Sequence, residues 1–240
     1  MTRIGILETG IPQKDVVDIH SDFPQMFRNY FKQFSDLAFT TVRIFKGEEI
    51  PLPKSQDAWI ITGSPSSVYD DLVWLPLMED FVRESVGQSV PTLGICFGHQ
   101  LMAQAFGGTV VKSDKGVGIG VHDYEITEAG KKMLPGLSPI RLIAAHGDQV
   151  TIAPDSAALL ATSSFCTNAA FSYGDSGLSI QAHPEFTAPG AIAITHRWAQ
   201  KSSLPAQTVA VAMDSFVNVR PNSHRLASEL HKFLIRTASP

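Results

Sequence analysis

Gly94-Ile95-Cys96-Phe97-Gly98-His99-Gln100 decides the fold of this chain and points to its chemistry. An apolar run, Val90 to Ile95, leads into the cysteine, and a helical pattern from Gln100 to Phe106 leads away. Glycines two residues before and two residues after Cys96 permit a strand-to-helix turn too tight for Cβ atoms. This is the G-x-C-x-G counterpart of the G-x-S-x-G nucleophile elbow. Such a turn presents Cys96 at a strand tip and at a helix N-terminus, where the positive end of the helix dipole favours thiolate over thiol. The competing reading is a small apolar residue packed in a buried turn. The rest of the chain argues for the nucleophile.

A thiolate nucleophile requires a base, and the base requires a group that orients it. Ile180-Gln181-Ala182-His183-Pro184-Glu185-Phe186 offers both. Leu178 to Ala182 reads as a short buried strand that Pro184 terminates, which puts His183 at a strand end, where catalytic residues gather. Glu185 lies two positions on, with its carboxylate able to turn back toward the imidazole. Most of the other histidines among the eight read as solvated or packed side chains. A third segment, Thr62-Gly63-Ser64-Pro65-Ser66-Ser67, follows a strand at Asp57 to Ile61. By itself it reads as a turn, but a glycine turn beyond a central strand can aim backbone N–H groups at a developing oxyanion.

Four pieces taken together carry a resemblance: Gly63-Ser64-Pro65-Ser66-Ser67-Val68-Tyr69, Gly94 to Gln100, His146-Gly147-Asp148-Gln149-Val150 and Gln181-Ala182-His183-Pro184-Glu185. In order and spacing across residues 1–190 they resemble the class I (triad-type) glutamine amidotransferases, and in particular the glutaminase domain of GMP synthetase. The resemblance implies Cys96 as nucleophile, His183 as general base and then acid, and Glu185 as the residue that orients it. It further implies an oxyanion hole from the N–H groups of Gly63 and Phe97. Gln100 and the turn His146-Gly147-Asp148 would line the pocket for the amino-acid end of glutamine. Two departures stand out. Thr62 occupies the place of the first of two glycines in the family's oxyanion loop, which predicts a stiffer loop. No ATP-pyrophosphatase segment follows before Pro240, so any ammonia acceptor is expected to be another protein, a separate synthetase subunit, or to be absent.

Composition sets the remaining bounds. The chain has 240 residues, 44% hydrophobic and 18% charged, which suits a globule with a sizeable core. A formal net charge of −4 offers no electrostatic reason for a nucleic-acid or anionic-membrane partner. No apolar run approaches transmembrane length, and Arg3-Ile4-Gly5-Ile6-Leu7-Glu8 does not read as a signal peptide. Of the two cysteines, Cys166 sits in an apolar context, Phe165 to Phe171, and reads as core. A free nucleophile then predicts a reducing, cytoplasmic location. The sequence shows no zinc spacing, no G-x-G-x-x-G and no P-loop, so neither a metal nor a nucleotide cofactor is expected.

Strands at Arg3 to Leu7, Thr40 to Phe45, Asp57 to Ile61 and up to Ile95 alternate with helices. The helices are expected at Pro24 to Phe34, capped by Ser21-Asp22, at Trp74 to Val86, and after the elbow up to Gly107-Gly108. This alternation predicts an α/β fold: an open, mostly parallel sheet flanked by helices, flavodoxin-like, with active residues at the strand C-terminal ends. Thr109 to Ala182 reads as strand-rich, with turns at Gly116, Gly130, Gly147 and Gly174, and is expected to add antiparallel strands. The tail reads as three helices: Pro189 to Gln200, which matches the closing helix of the resembled family, and the additional Pro205 to Phe216 and Asn222 to Ile235. These two are expected to pack on the sheet, with a partner-docking or lid role as the alternative. A single domain over 1–240 is expected, with a core of 1–190 and a helical tail of 191–240. Glu8 to Pro24, with His20, Asp22 and Phe23, reads as a long polar connection, either an ordinary surface loop or a rim of the site.

The predicted reaction is hydrolysis of the glutamine γ-amide through a Cys96 thioester, releasing ammonia and glutamate. The alternative is an independent γ-glutamyl hydrolase or peptidase acting on γ-glutamyl conjugates. An intact Cys96, His183 and Glu185 argues against a pseudoenzyme that only binds a partner.

Overall fold

A computed structural model describes residues 1–12, 14–137, 139–201 and 204–236. The elements run in the order β1 (Thr2–Glu8), α1 (Lys14–His20), α2 (Phe23–Tyr30), β2 (Leu37–Arg43), β3 (Ala58–Ile61), α3 (Leu75–Gly87), β4 (Thr92–Ile95) and α4 (Phe97–Ala105). There follow β5 (Thr109–Lys112), β6 (Gly118–Ile126), α5 (Glu128–Met133), β7 (Ile140–His146), β8 (Asp148–Ile152), β9 (Ala158–Thr162), β10 (Ala170–Tyr173) and β11 (Gly177–Ile180). Three helices close the described chain: α6 (Ala188–Lys201), α7 (Ala206–Asn218) and α8 (Ser223–Leu234).

The main sheet has the order β2-β1-β3-β4-β11-β10-β9-β6-β7. From β2 to β11 neighbouring strands are parallel, and from β11 onward they are antiparallel. β5 and β8 form a separate antiparallel pair. Every residue of β3 and β4 is buried, as strands covered by helices on both faces require. Alternate side chains feed two cores. Ile4, Ile6, Ile60, Leu93 and Ile95 meet Phe27 and Phe31 on one face, while Leu7, Trp59 and Ile61 meet Met78, Phe81, Leu101 and Met102 on the other. The α/β fold read from the sequence is the fold observed.

Several boundaries differ from the sequence reading. The expected strand at Thr40 to Phe45 is β2, which starts at Leu37 because it pairs with β1 from Thr2 onward. Gly130 is no turn but lies inside α5, whose cap, Thr127 Oγ1, accepts its N–H at 3.0 Å. A Cβ there would collide with the Leu160 carbonyl, so close packing explains this glycine. The segment read as a polar connection contains α1, and Asp22 caps α2 by accepting the Gln25 N–H at 2.9 Å. The side chain of His20 lies outside the described residues.

The tail packs on the sheet. Leu226, Leu230, Phe233 and Leu234 of α8 are buried in the cluster that holds Ile4 and Phe31. Ser215 of α7 accepts the Val121 N–H of β6 at 2.9 Å. Residues 237–240 lie outside the described residues. Among the described residues, no helix is long and apolar enough to cross a membrane.

Candidate active site

Cys96 links β4 to α4 with φ 53° and ψ −101°, a conformation few residues other than glycine adopt. The flanking glycines make the turn possible. A Cβ on Gly94 would stand 2.5 Å from the Gly98 carbonyl oxygen, and one on Gly98 would stand 2.5 Å from that of Ile61. The Cys96 N–H donates to the Ile180 carbonyl at 2.9 Å, which locks the elbow against the end of β11. Cys96 lines a cavity open to solvent on one side and is itself 7% exposed.

His183 follows β11 by three residues. Its N–H donates to the Ile143 carbonyl at 2.8 Å, an isolated bridge that carries the strand direction past Ile180. Its Nδ1 lies 2.7 Å from Glu185 Oε1, and His183 and Cys96 line the same cavity. A carboxylate accepts, so Nδ1 carries the proton and Nε2 is left for the sulfur. Burial alone pulls the His183 imidazole down, but the negative charges of Glu185 and Cys96 and their hydrogen bonds outweigh it and raise its pKa. The net effect favours an imidazolium beside sulfur. Phe186 stacks on the ring at 3.9 Å between centroids, fixing its plane. The structure thus brings Cys96, His183 and Glu185 together; the His183 ring is partnered by Glu185, while the Asp148 carboxylate is held by Ser67 and Tyr69.

Gln181 has no assigned role in the sequence reading. Its side chain is fully buried, and Nε2 approaches Cys96 Sγ at 3.6 Å while Oε1 accepts from Gln100 Nε2 at 3.1 Å. The available signal was period two: Gln181 and His183 share one side of an extended segment. A buried amide there calls for partners, and the thiol is one of them.

The loop after β3 is pinned to the end of β1. Thr62 Oγ1 accepts the Thr9 N–H at 3.1 Å and donates to the Gly63 carbonyl at 2.9 Å. The Thr9 hydroxyl lies 3.2 Å from both the Thr62 and Gly63 carbonyls, and Ser64 Oγ donates to the Thr9 carbonyl at 3.0 Å. With the Gly63 carbonyl held on the Thr9 side, the planar trans peptide turns the Ser64 N–H the opposite way. Ser64 lines the cavity with Cys96 and Phe97; Gly63 is not among the lining residues, although a Cβ on it would stand 3.1 Å from the His183 ring. The loop residue that lines the cavity is thus Ser64, next to the expected Gly63. Phe97 opens α4, so its N–H has no acceptor four residues back in the helix.

Gln100, His146, Gly147 and Asp148 all line the cavity. Gln100 Nε2 donates to the Asp148 carbonyl at 3.0 Å. His146 Nδ1 lies 3.0 Å from that same carbonyl, which makes Nδ1 the donor, and burial pulls its pKa down to about 4, keeping the ring neutral. The Asp148 carboxylate accepts from Ser67 Oγ at 2.6 Å and Tyr69 Oη at 2.8 Å, bridging the two loops. His99 is a packed histidine, held between Ser179 Oγ at 2.8 Å and the Asn168 carbonyl at 3.0 Å.

The cavity holds about 270 Å³ and has two halves. The polar side chains include Ser67, Gln100, His146 and Asp148; the apolar ones are Pro12, Val16, Phe23, Phe186, Ile194 and Trp198, with Arg197 of α6 lining the cavity beside the last two. The segment before α2 is thus part of the rim after all, and the tail helix α6 contributes a wall. Cys166 belongs to the core, where burial pushes its thiol up to about 12. Among the described residues, no group of three or more His, Cys, Asp or Glu side chains is arranged to hold a metal ion.

The profile of the family described as "Glutamine amidotransferase class-I" matches residues 15–191. Gamma-glutamyl peptidase 3 of Arabidopsis thaliana is 32% identical over 136 residues, 54% of this chain and 55% of that protein. The GMP synthase [glutamine-hydrolyzing] of Mycobacterium bovis is 34% identical over 192 residues, 76% of this chain and 33% of that protein. The chain thus spans about half the length of the first relative and a third of the second. A crystal structure of a glutamine amidotransferase from Methylobacillus flagellatus superposes with a TM-score of 0.76 at 21% identity, covering 100% of this chain and 98% of that one. That likeness shows the same fold. A profile that matches most of the chain, set on this elbow and this sheet, shows that the chain belongs to the class I glutamine amidotransferase family.

Proposed function

We propose that this chain hydrolyses the γ-amide of glutamine through a thioester on Cys96. The observation that carries this reading is the buried sequence of contacts from Cys96 to His183 to Glu185, opening on one cavity. The Cys96 thiolate attacks the γ-carbonyl, forming an S–C bond. The Ser64 and Phe97 N–H groups receive the oxyanion, each such donor being worth roughly 3 kcal/mol in related chemistry. As the C–N bond breaks, imidazolium His183 gives its Nε2 proton to the departing nitrogen, which leaves as ammonia. Water then adds to the thioester with His183 as base, and cleavage of the S–C bond returns glutamate and free Cys96. Glu185 holds the ring and balances its charge; Gln181 positions the sulfur. The polar half of the cavity, Gln100, His146, Gly147 and Asp148, receives the amino-acid end. The reaction is proposed to run in the cytoplasm, where the free thiols Cys96 and Cys166 stay reduced, and ammonia passes to a separate synthetase subunit.

A second reading, hydrolysis of γ-glutamyl conjugates without a partner, draws support from the pinned loop. Thr9 and Thr62 hold the Gly63–Ser64 peptide in place by hydrogen bonds within the chain. The similarity to a protein named γ-glutamyl peptidase points the same way.

The test is ammonia release from glutamine by the purified chain, with asparagine as control. One methylene less moves the amide by about 1.5 Å, and about 1 Å of misplacement costs roughly a hundredfold. Turnover of glutamine at least a hundredfold above asparagine, lost in Cys96→Ala, supports the proposal. Equal turnover of the two amides, or activity surviving in Cys96→Ala, overturns it.

A further inference from the structure

Ammonia is about the size of one water, with a liquid-volume share of roughly 30 Å³, and has no use for an aromatic wall. Yet the half of the cavity beside His183 is built of such a wall. Phe186 lies on the His183 ring at 3.9 Å and 11°, and Phe23 runs parallel to Phe186 at 6.4 Å and 6°. Val16 of α1 and Ile194 of α6 pack into the same cluster and also line the cavity. The polar groups that suit a zwitterionic glutamyl end, Gln100, His146 and Asp148, are joined to one another and line the same cavity, as do Cys96 and, from α6, Arg197.

Proton delivery fixes which half faces the leaving group. Nδ1 of His183 is committed to Glu185, so only Nε2 can protonate the departing nitrogen. That nitrogen must lie within hydrogen-bond reach of Nε2 in the reacting complex. Whatever it carries then extends past the His183 ring, along Phe186 and Phe23. An apolar substituent there removes its own surface and that of the wall from water, at roughly 25 cal/mol per Å². A hydrogen or a glycine residue leaves that surface uncovered.

We propose that this apolar half is a leaving-group subsite, and that the preferred substrate is a γ-glutamyl amide of an amine bearing an aromatic side chain. The inference rests on the γ-glutamyl hydrolysis proposed above and names its substrate class. The covalent steps are unchanged, except that the amine takes the His183 proton and leaves in place of ammonia.

The experiment measures kcat/KM of the purified chain on γ-glutamyl-phenylalanine, γ-glutamyl-leucine, γ-glutamyl-glycine and glutamine, with no other protein present. The expected order places phenylalanine at least tenfold above glycine, with leucine between them. In Ile194→Ala the phenylalanine-to-glycine ratio should fall to within about threefold, whereas a purely structural defect lowers all four values together and leaves the ratio unmoved. A second measurement uses the wild-type chain alone: phenylalanine, and not glycine, should compete with glutamine. Glutamine hydrolysis with equal phenylalanine and glycine values and no inhibition by phenylalanine overturns the subsite and leaves the reaction standing. No hydrolysis of any of the four overturns both.

Discussion

His183 Nδ1 and Glu185 Oε1 stand 2.7 Å apart, two residues from each other in sequence and both shut off from solvent. Pro184 between them sets the short reach. The other carboxylate oxygen, Oε2, is buried and meets no hydrogen-bond donor among the described residues. A carboxylate held this way is costly unless its neighbour is positively charged. The pair is therefore coupled: Glu185 raises the His183 pKa, and His183 gives Glu185 its counter-charge.

Glu185→Gln should therefore keep the fold and lose most of the activity. The amide cannot stabilise an imidazolium and can invert the ring tautomer; in serine triads the equivalent change costs about 10⁴ in kcat. We expect a fall of about 10³–10⁴, with the His183 ionisation moved downward. Steady-state kinetics and NMR titration of the His183 ring report the two effects separately. An unshifted titration would contradict the assigned coupling.

The two thiols should differ sharply toward electrophiles. Cys96 faces the cavity beside His183, whereas burial raises Cys166 to about 12, leaving almost no thiolate near neutral pH. Diazo-oxo-norleucine is expected to label Cys96 alone, as read by peptide mass spectrometry. Cys166→Ser should change turnover less than threefold, and Cys96→Ala should abolish it.

Thr62→Val removes the hydroxyl that joins the Thr9 N–H to the Gly63 carbonyl. With about 1 kcal/mol at stake per hydrogen bond, we expect stability to fall by about 1–3 kcal/mol and kcat by about tenfold. An oxyanion forms only in the transition state, so KM for glutamine should move much less. An equal loss in kcat and rise in KM would place Thr62 in ground-state binding instead.

Glu8 ends β1 in a buried position, with Oε2 lacking a hydrogen bond and Arg43 Nε at 3.5 Å. Burial, reinforced by the charge of Asp22, pushes its pKa up to about 7 against the partial opposition of Arg43. A carboxyl whose folded pKa is raised stabilises the fold most below its unfolded pKa, about 4.3. That contribution drains away as pH climbs through about 7. Thermal denaturation should show wild-type Tm falling over this window. Glu8→Gln should flatten the fall and raise Tm at pH 8, and an identical pH slope in the two proteins would remove Glu8 as its source.

Much of the site was legible because its chemistry is local. The elbow needs Gly94 and Gly98 beside Cys96, and the base needs Glu185 two residues on, so short stretches carried both. The parallel core was legible for the same reason, since strands buried on both faces read as unbroken apolar runs such as Ala58–Ile61.

Contacts between distant segments were not legible. Thr9 reaches Thr62 across 53 positions, and Gln181 reaches Cys96 across 85. Nothing in the local pattern of either residue specifies that meeting. Which way the Gly63 carbonyl points was decided by its hydroxyl partners Thr9 and Thr62, and so by β1 lying beside β3. The apolar half of the cavity required Val16, Phe23, Phe186 and Ile194 to converge from α1, α2, the loop after β11 and α6. Sequence determined the residue types and their neighbours along the chain. Only the packed sheet and its helices decided which of them share a cavity, because burial and hydrogen bonding act between segments that adjacency in sequence does not connect.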